Sequence, residues 1–352
     1  MYLQFKGKKI TGVLSILPEN EYTFEEEALN PNDVKARRLK KVIGFGTRRR
    51  VKADTTLSDM LLFGMNNLIE TGRLKKEDIG AVIVVTLTED YLLPQISNII
   101  HGELGLSHDV FCMDIPQACA GYVVGLVESF MLLEHMDNKK IVLCTGEIFN
   151  KKTEEDERKF EDPSFGGDVA NISIVENSDD DYTIYSSVFF DGENRNNLLV
   201  KYGGFRNPMT KDLIDQQRQK LPCTPVDMDG SGVFNFVQRE VPPAIKDLTE
   251  KAGVELSDID YYLFHQPNRF MLEKLAQAMS IPFEKMPMDI TEKYGNSDSG
   301  TIPMTMTCNA FKDLLDKENL CCLSGFGGGL TWASMILKLG KLEFCENIVS
   351  NL

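Results

Sequence analysis

The chain has 352 residues, a hydrophobic share of 42%, and 53 acidic against 38 basic side chains for a formal charge of -15. This length and composition support full-sized cores, exclude a disordered or fibrous chain, and predict two domains or one large duplicated unit. The charge balance argues against wrapping nucleic acid or lying on an anionic membrane, and no run of 18 uncharged apolar residues is present to span a bilayer.

Ile10–Leu17 reads as a strand closed by Pro18, and Glu19–Asn32 as an acidic surface excursion without pattern. Thr55–Glu70 reads as a helix with a Thr or Ser cap near Asp54. Ala81–Val85 is a continuous apolar run, the mark of a strand covered on both faces. Val110–Ile115 reads as a strand, and Ala120–Leu133 as an apolar helix in which Gly121 and Gly125 invite close packing. Ile141–Thr145 and Val169–Val175 are further strands, separated by a charged, solvated stretch at Lys151–Asp162. In the second half, Phe234–Ala252 is predicted as a helix broken or restarted at Pro242–Pro243. Tyr261–Phe264 reads as a strand, Arg269–Met279 as a helix, Leu320–Ser324 as a strand, and Leu330–Leu339 as the last long strand, before Gly340.

The second half echoes the first. KKEDIGAVIVVTLTE (Lys75–Glu89) and ELSDIDYYLFHQPN (Glu255–Asn268) both read acidic turn, Asp-Ile, strand, polar turn. GGDVANISIVE and GGGLTWASMILKL both read as a glycine turn feeding a strand. These echoes predict an α/β fold of two similar halves, 1–175 and 176–352, whose equivalent strand ends face each other around a pseudo-two-fold axis.

The eight cysteines (Cys112, Cys119, Cys144, Cys223, Cys308, Cys321, Cys322 and Cys345) form no CxxC pair and mostly stand in apolar runs. They read as reduced thiols of a cytoplasmic protein rather than a disulfide frame or zinc site. Four histidines leave little for a multi-His metal centre. The opening residues MYLQFKGKKITGVLSILPE carry no long apolar core or small-residue cleavage site, so no targeting segment is expected.

Three turns carry candidate chemistry. Cys119 follows a strand and a PQA turn and stands at a helix start, where free N–H groups and the positive end of the helix dipole favour a thiolate nucleophile. A small hydrophobe packed at a helix start accounts for it equally well. His265 closes the strand in YYLFHQPN and Asn296 lies in the loop KYGNSDSGTIP; a structural histidine and an ordinary turn are the plainer readings. GFGGG (Gly325–Gly329) is either a tight strand–strand turn or a source of N–H groups for an oxyanion, and it matches neither a dinucleotide fingerprint nor a phosphate loop. Taken together, a thiolate, a neutral imidazole and a carboxamide at strand ends suit acyl chemistry. Cys119 would hold an acyl thioester, and His265 Nε2 and the Asn296 amide would stabilise the enolate left when a malonyl thioester loses CO2. The Cys119 N–H and one from the glycine turn would hold the tetrahedral oxyanion.

With these motifs the sequence resembles the β-ketoacyl-acyl carrier protein synthase III branch of the thiolase-like condensing enzymes, over nearly the whole chain. DIPQACAG resembles the nucleophile motif, HQPN the family's HQAN, YGNSDSGTIP its GNTSxASxP, and GFGGGLTW its closing glycine loop. The resemblance implies a five-layered αβαβα fold, a homodimer whose sites are completed by the partner, catalytic Cys119, His265 and Asn296, and oxyanion or substrate contacts at Gly327 and Gly328. It implies decarboxylative condensation of an acyl primer with malonyl-acyl carrier protein. No cofactor is expected; coenzyme A and phosphopantetheine thioesters enter as substrates. The other reading is a non-condensing acyltransferase or thioester hydrolase, which would not need Asn296.

Departures from the family pattern point to a specialised paralogue. Its bacterial housekeeping members carry Trp-Ile and RTGIRER near residue 40, where this chain has RRLKKVIGFGTRRR and only Phe45 as an aromatic; its single tryptophan is Trp332. A weaker grip on the adenine of coenzyme A is implied. FGGD (Phe165–Asp168) replaces FGDG, and Phe270, with Arg269 before it, fills the position of an expected arginine. Leu93 is expected as a pocket residue reaching across the dimer, with Glu89 close by in sequence. The run Lys35, Arg37, Arg38, Lys40, Lys41, Arg48, Arg49 and Arg50 is the densest basic stretch, and it is expected to dock an acidic carrier protein through Arg48, Arg49 and Arg50.

Overall fold

The computed structural model describes residues 1–27, 32, 34, 37, 40–41, 44, 46–149, 166–212 and 226–352. Lys35, Arg38, Phe45, Phe165, Cys223 and the charged stretch Lys151–Asp162 lie outside them.

Two sheets organise the chain. The first has the order β15 (Phe344–Ser350), β2 (Lys8–Pro18), β8 (Val169–Asn177), β7 (Lys140–Glu147), β5 (Ile79–Val85), β6 (Phe111–Ile115). The second has the order β1 (Tyr2–Phe5), β9 (Ile184–Phe190), β14 (Thr331–Gly340), β13 (Glu318–Gly327), β12 (Tyr261–Phe264). The shared plan is visible in strand sense. The steps β2 to β8 to β7 to β5 run antiparallel, antiparallel, parallel, and so do β9 to β14 to β13 to β12. Both β5 and β12 follow a short 3-10 turn, as the sequence echo requires. The chain ends cross over. Strand β1 joins the second sheet, and β15, which the sequence reading did not foresee beyond Gly340, joins the first beside β2.

Helices fill the remaining layers. On the outer face of the first sheet lie α2 (Leu57–Glu70) and α3 (Ile96–Leu104), burying Leu57, Met60, Leu61, Met65 and Leu68 at helical spacing together with Ile96 and Ile100. Before α2, the Thr56 N–H donates to Asp59 Oδ2 at 2.8 Å, meeting one of the donors a helix start exposes. Between the sheets runs α4 (Gly121–Leu133), with Tyr122, Val123, Leu126 and Phe130 buried against strands of both sheets. A helix enclosed on both sides is apolar around most of its circumference, and α4 is. A Cβ at Gly125 would come within 2.7 Å of Leu143 Cδ1, so a glycine there lets helix and strand meet. The same central layer holds α8 (Thr301–Thr305), a π turn at Met306–Ala310, and α9 (Phe311–Asp316). On the outer face of the second sheet lie α5 (Gly230–Ala252) and α6 (Arg269–Ala278). The layers are thus αβαβα. No helix among the described residues is long and apolar enough to cross a membrane.

Two expectations need correction. Helix α5 is unbroken over 23 residues and runs through both prolines, beginning at Gly230 under an Asp229 cap. Val237, Val241, Ala244, Ile245 and Leu248 form its buried face, and the prolines lie off that face, where water can meet the carbonyls they leave unpaired. Residues 19–27 of the Glu19–Asn32 region are not a patternless excursion. Strand β3 (Asn20–Thr23) pairs with β4 (Thr47–Arg50), and α1 (Phe24–Glu27) follows, with Glu27 buried.

That pairing also overturns the docking role of the arginines. Side chains alternate across a strand, so Arg48 and Arg50 turn to the same side, at 0% and 4% exposure, and both pair with Glu27. Arg49 points the other way, donating to the Pro18 carbonyl at 2.9 Å and facing Glu21 at 3.4 Å. Arg48 and Arg50 thus belong to an internal ion triad and Arg49 faces the opposite side, so the three arginines do not form one exposed docking surface. Buried charges that lose their partner cost about 3–5 kcal/mol. Glu27→Gln should therefore lower the unfolding free energy by about that amount in urea titration at pH 7.

Candidate active site

The nucleophile candidate is set by two tight turns after β6. The Gln117 N–H donates to the Ile115 carbonyl at 2.8 Å and the Gly121 N–H to the Ala118 carbonyl at 2.7 Å, folding the chain back into α4. Cys119 stands between them, 7% exposed. Against it lies the end of β13: a Cβ at Gly327 would sit 2.6 Å from Cys119 Sγ, so any side chain there would displace the thiol.

His265 is one residue past β12, its N–H donating to the Ser324 carbonyl at 2.8 Å. The ring is buried and edge-on to Phe326. Its Nδ1 lies 2.9 Å from Thr301 Oγ1 and 3.2 Å from the Asp298 carbonyl oxygen. Burial pushes the imidazole down to about 3, so the ring is neutral at physiological pH. Thr301 Oγ1 also accepts the Gln266 N–H at 3.1 Å.

Asn296 lies between α7 (Ile290–Tyr294) and α8. Its carbonyl accepts the Gly167 N–H at 3.1 Å, which ties this second-half loop to the first half. Its side-chain Oδ1 accepts the Asp298 N–H at 2.9 Å, leaving Nδ2 as the amide's donor. Asp168, from the FGGD segment, holds the neighbouring backbone by accepting the Val51 and Phe149 N–H groups at 3.1 and 3.0 Å.

One residue joins all three, and the sequence reading did not single it out. Asp298 donates its N–H to Asn296, offers its carbonyl oxygen to His265 and accepts the Cys119 thiol at 3.4 Å through Oδ1. It sits at φ +46°, a left-handed conformation that Asp tolerates better than most side chains. In the pattern GNTSxASxP this position carries serine. Burial pushes the Asp298 carboxyl up to about 6. A second missed group is Glu147, the last residue of β7, fully buried and accepting from Thr86 Oγ1, the Leu87 N–H and Thr88 Oγ1 at 3.1, 3.1 and 2.8 Å. Burial, and then the charge of Asp298, raise it well above the usual carboxylate range.

Burial and the Asp298 carboxyl correct the expected thiolate. Burial pushes the Cys119 thiol up, Asp298 adds to the shift, and the Cys119 and Gly328 N–H groups turned toward sulfur oppose it without prevailing. Cys119 therefore rests as a thiol, with the two N–H donors expected for an oxyanion beside it.

The remaining candidates are surface residues. Arg269 is paired with Glu292 at 2.6 Å, and Phe270 is half-exposed and stacks on Phe234. Leu93 is 83% exposed in the single chain. A groove of about 630 Å³, lined in part by Arg195, Leu198, Lys201, Arg206 and Gly329, opens beside the glycine turn. No group of three or more His, Cys, Asp or Glu among the described residues is placed to hold a metal ion.

Residues 249–339 match the family model for the C-terminal part of 3-oxoacyl-[acyl-carrier-protein] synthase III. A Campylobacter jejuni chain named as a 3-oxoacyl-[acyl-carrier-protein] synthase 3 is 30% identical over 362 residues, covering 99% of this chain and 98% of that one. The β-ketoacyl-[acyl-carrier-protein] synthase III of Streptococcus uberis is 30% identical over 83% of this chain and 87% of its own length. Among solved structures, the 3-oxoacyl-(acyl-carrier protein) synthase of Burkholderia xenovorans superposes with a TM-score of 0.88 at 28% identity, covering 99% of each chain. With this likeness over its whole length, the chain belongs to the β-ketoacyl-[acyl-carrier-protein] synthase III family of condensing acyltransferases.

Proposed function

We propose that this chain condenses an acyl primer with a malonyl group carried on acyl carrier protein, passing through an acyl thioester on Cys119. The observation that carries the reading is the convergence of Cys119, His265 and Asn296 on Asp298, with the Gly327 backbone against the sulfur. The sulfur attacks the primer carbonyl, and the Cys119 and Gly328 N–H groups receive the developing oxyanion. The malonyl thioester then loses CO2 to an enolate whose oxygen takes hydrogen bonds from His265 Nε2 and Asn296 Nδ2. Its carbon attacks the acyl-Cys119 carbonyl to give the 3-oxoacyl thioester. Decarboxylation supplies the carbanion, so no group has to remove a malonyl C–H proton. The groove beside Gly329 suits an extended phosphopantetheine arm, with Arg195, Lys201 and Arg206 for its phosphate.

The enolate role requires the His265 tautomer protonated on Nε2. The Thr301 hydroxyl donates to the Asp298 carbonyl at 2.9 Å and its oxygen lies 2.9 Å from His265 Nδ1, so Thr301 holds the ring against the Asp298 loop as a positioning residue.

We also propose a homodimer acting in the cytoplasm. Strand β6 ends its sheet, and Phe111 on it is 43% exposed. Leu92 and Leu93 nearby in the chain are both 83% exposed. An open strand edge and exposed leucines suit a self-complementary two-fold contact.

Three outcomes check this reading. His265→Ala and Asn296→Ala should still form acyl-Cys119, seen by intact mass, while CO2 release from malonyl-carrier protein falls about 10²–10³-fold, as for loss of an oxyanion donor; a non-condensing acyltransferase would show no such split. Thr301→Val should slow CO2 release at least tenfold with loading nearly unchanged, and Thr301→Ser should restore it. Light scattering at micromolar concentration should report a dimer, and Leu93→Asp should shift it toward monomer.

A further inference from the structure

We infer that Asp298 is the catalytic base of the loading step: it takes the thiol proton as Cys119 attacks the primer thioester and hands that proton to the departing thiol. This rests on the condensing reading and adds to it a residue that the Cys, His and Asn set leaves out.

Geometry carries the assignment. Among the described residues Asp298 Oδ1 is the side-chain acceptor within hydrogen-bond reach of Cys119 Sγ, at 3.4 Å. The carboxyl is held there by its own backbone, since the Asp298 N–H is taken by Asn296 and its carbonyl faces His265. The left-handed turn at Asp298 is a conformation with a cost, and it aims the side chain at sulfur. The site also needs a base. Cys119 is a buried thiol rather than a standing thiolate, so its proton must leave as the S–C bond forms. His265 is poorly suited, because burial lowers its basicity and its enolate role needs Nε2 already protonated. Cys119, Glu147 and His265 are the titratable groups facing Asp298. Glu147 already accepts from Thr86, Leu87 and Thr88, which leaves Asp298 as the carboxyl free to exchange a proton with sulfur. Its upward shift to about 6 brings its basicity near the working pH, where a general base is most effective.

The step balances without a co-reactant. The S–H bond breaks and an O–H bond forms on Oδ1 as sulfur bonds to the primer carbonyl carbon. The tetrahedral oxyanion rests on the Cys119 and Gly328 N–H groups. It collapses by breaking the bond to the carrier sulfur, which takes the proton back from Oδ1. Asp298 ends as a carboxylate and Cys119 as an acyl thioester, with no net proton change.

The test compares native protein with Asp298→Asn, which keeps the tolerance for a left-handed backbone and loses the base. Acyl-Cys119 formation from an acyl-pantetheine thioester is followed by quenched intact mass from pH 5 to 9, and alkylation of Cys119 by iodoacetamide is followed in parallel. Native loading should rise with pH through about 6 as the carboxylate forms. The variant should load about 10²-fold more slowly, with that limb gone. Its alkylation at pH 8–9 should be equal or faster, because removing a negative neighbour makes the thiol easier to ionise. Asp298→Glu should recover part of the loading rate. Loading in Asp298→Asn as fast as native overturns the assignment, and so does a fall of loading and alkylation by the same factor, which would mean that the residue only positions the thiol. Native protein that takes no acyl group from any thioester overturns the condensing reading itself.

Discussion

The site depends on one close approach between backbones of opposite halves. The end of β13 runs so near the Cys119 turn that a Cβ at Gly325 would sit 2.5 Å from the Cys119 carbonyl oxygen and one at Gly327 would meet the sulfur. Only glycine leaves room, and in leaving room it exposes backbone N–H groups beside the Cys119 sulfur. A second tie, from the Gly167 N–H to the Asn296 carbonyl, fixes the loop that carries Asn296 and Asp298. The two sheets with α4 between them are the frame that brings these ends together, and residues 119, 265 and 296 have no common neighbourhood without it.

The same closure sets the protonation states. Burial disfavours every charge: it holds His265 neutral, keeps Cys119 as a thiol, and raises Asp298 and Glu147. In the proposed reaction, a neutral imidazole would donate a hydrogen bond to the developing enolate without a change in its own charge. The hydrogen bonds around Glu147 stabilise its carboxylate only against the larger cost of burial. Chemistry in such a site proceeds by short proton transfers between groups already in contact.

Much of this was legible in the chain. The apolar runs at Ala81–Val85 and Ile141–Thr145, and the glycines of α4, report burial directly, because a strand or helix covered on both sides has no polar face to show. The echo between Lys75–Glu89 and Glu255–Asn268 disclosed the duplication, since each repeat preserves the turn and the strand it feeds. The four motifs located Cys119, His265, Asn296 and the glycine turn, each at the end of a strand or loop that a linear reading can find.

The rest was decided by folding. Arg48 and Arg50 are withdrawn from any docking surface because β4 alternates its side chains, and Glu27, 21 residues before Arg48, waits on the inner face. Strand β15 was missed because FCENIVS shows no clean alternation of polar and apolar residues, and what it buries is set only beside β2. Asp298 was in plain view inside a quoted motif, yet its part depends on a 179-residue separation closed to 3.4 Å. Local pattern reports what a segment buries. Which charge faces which, and so whether Cys119 rests as thiol or thiolate, is set by contacts between residues far apart in the chain, and the sequence carries them only through the fold.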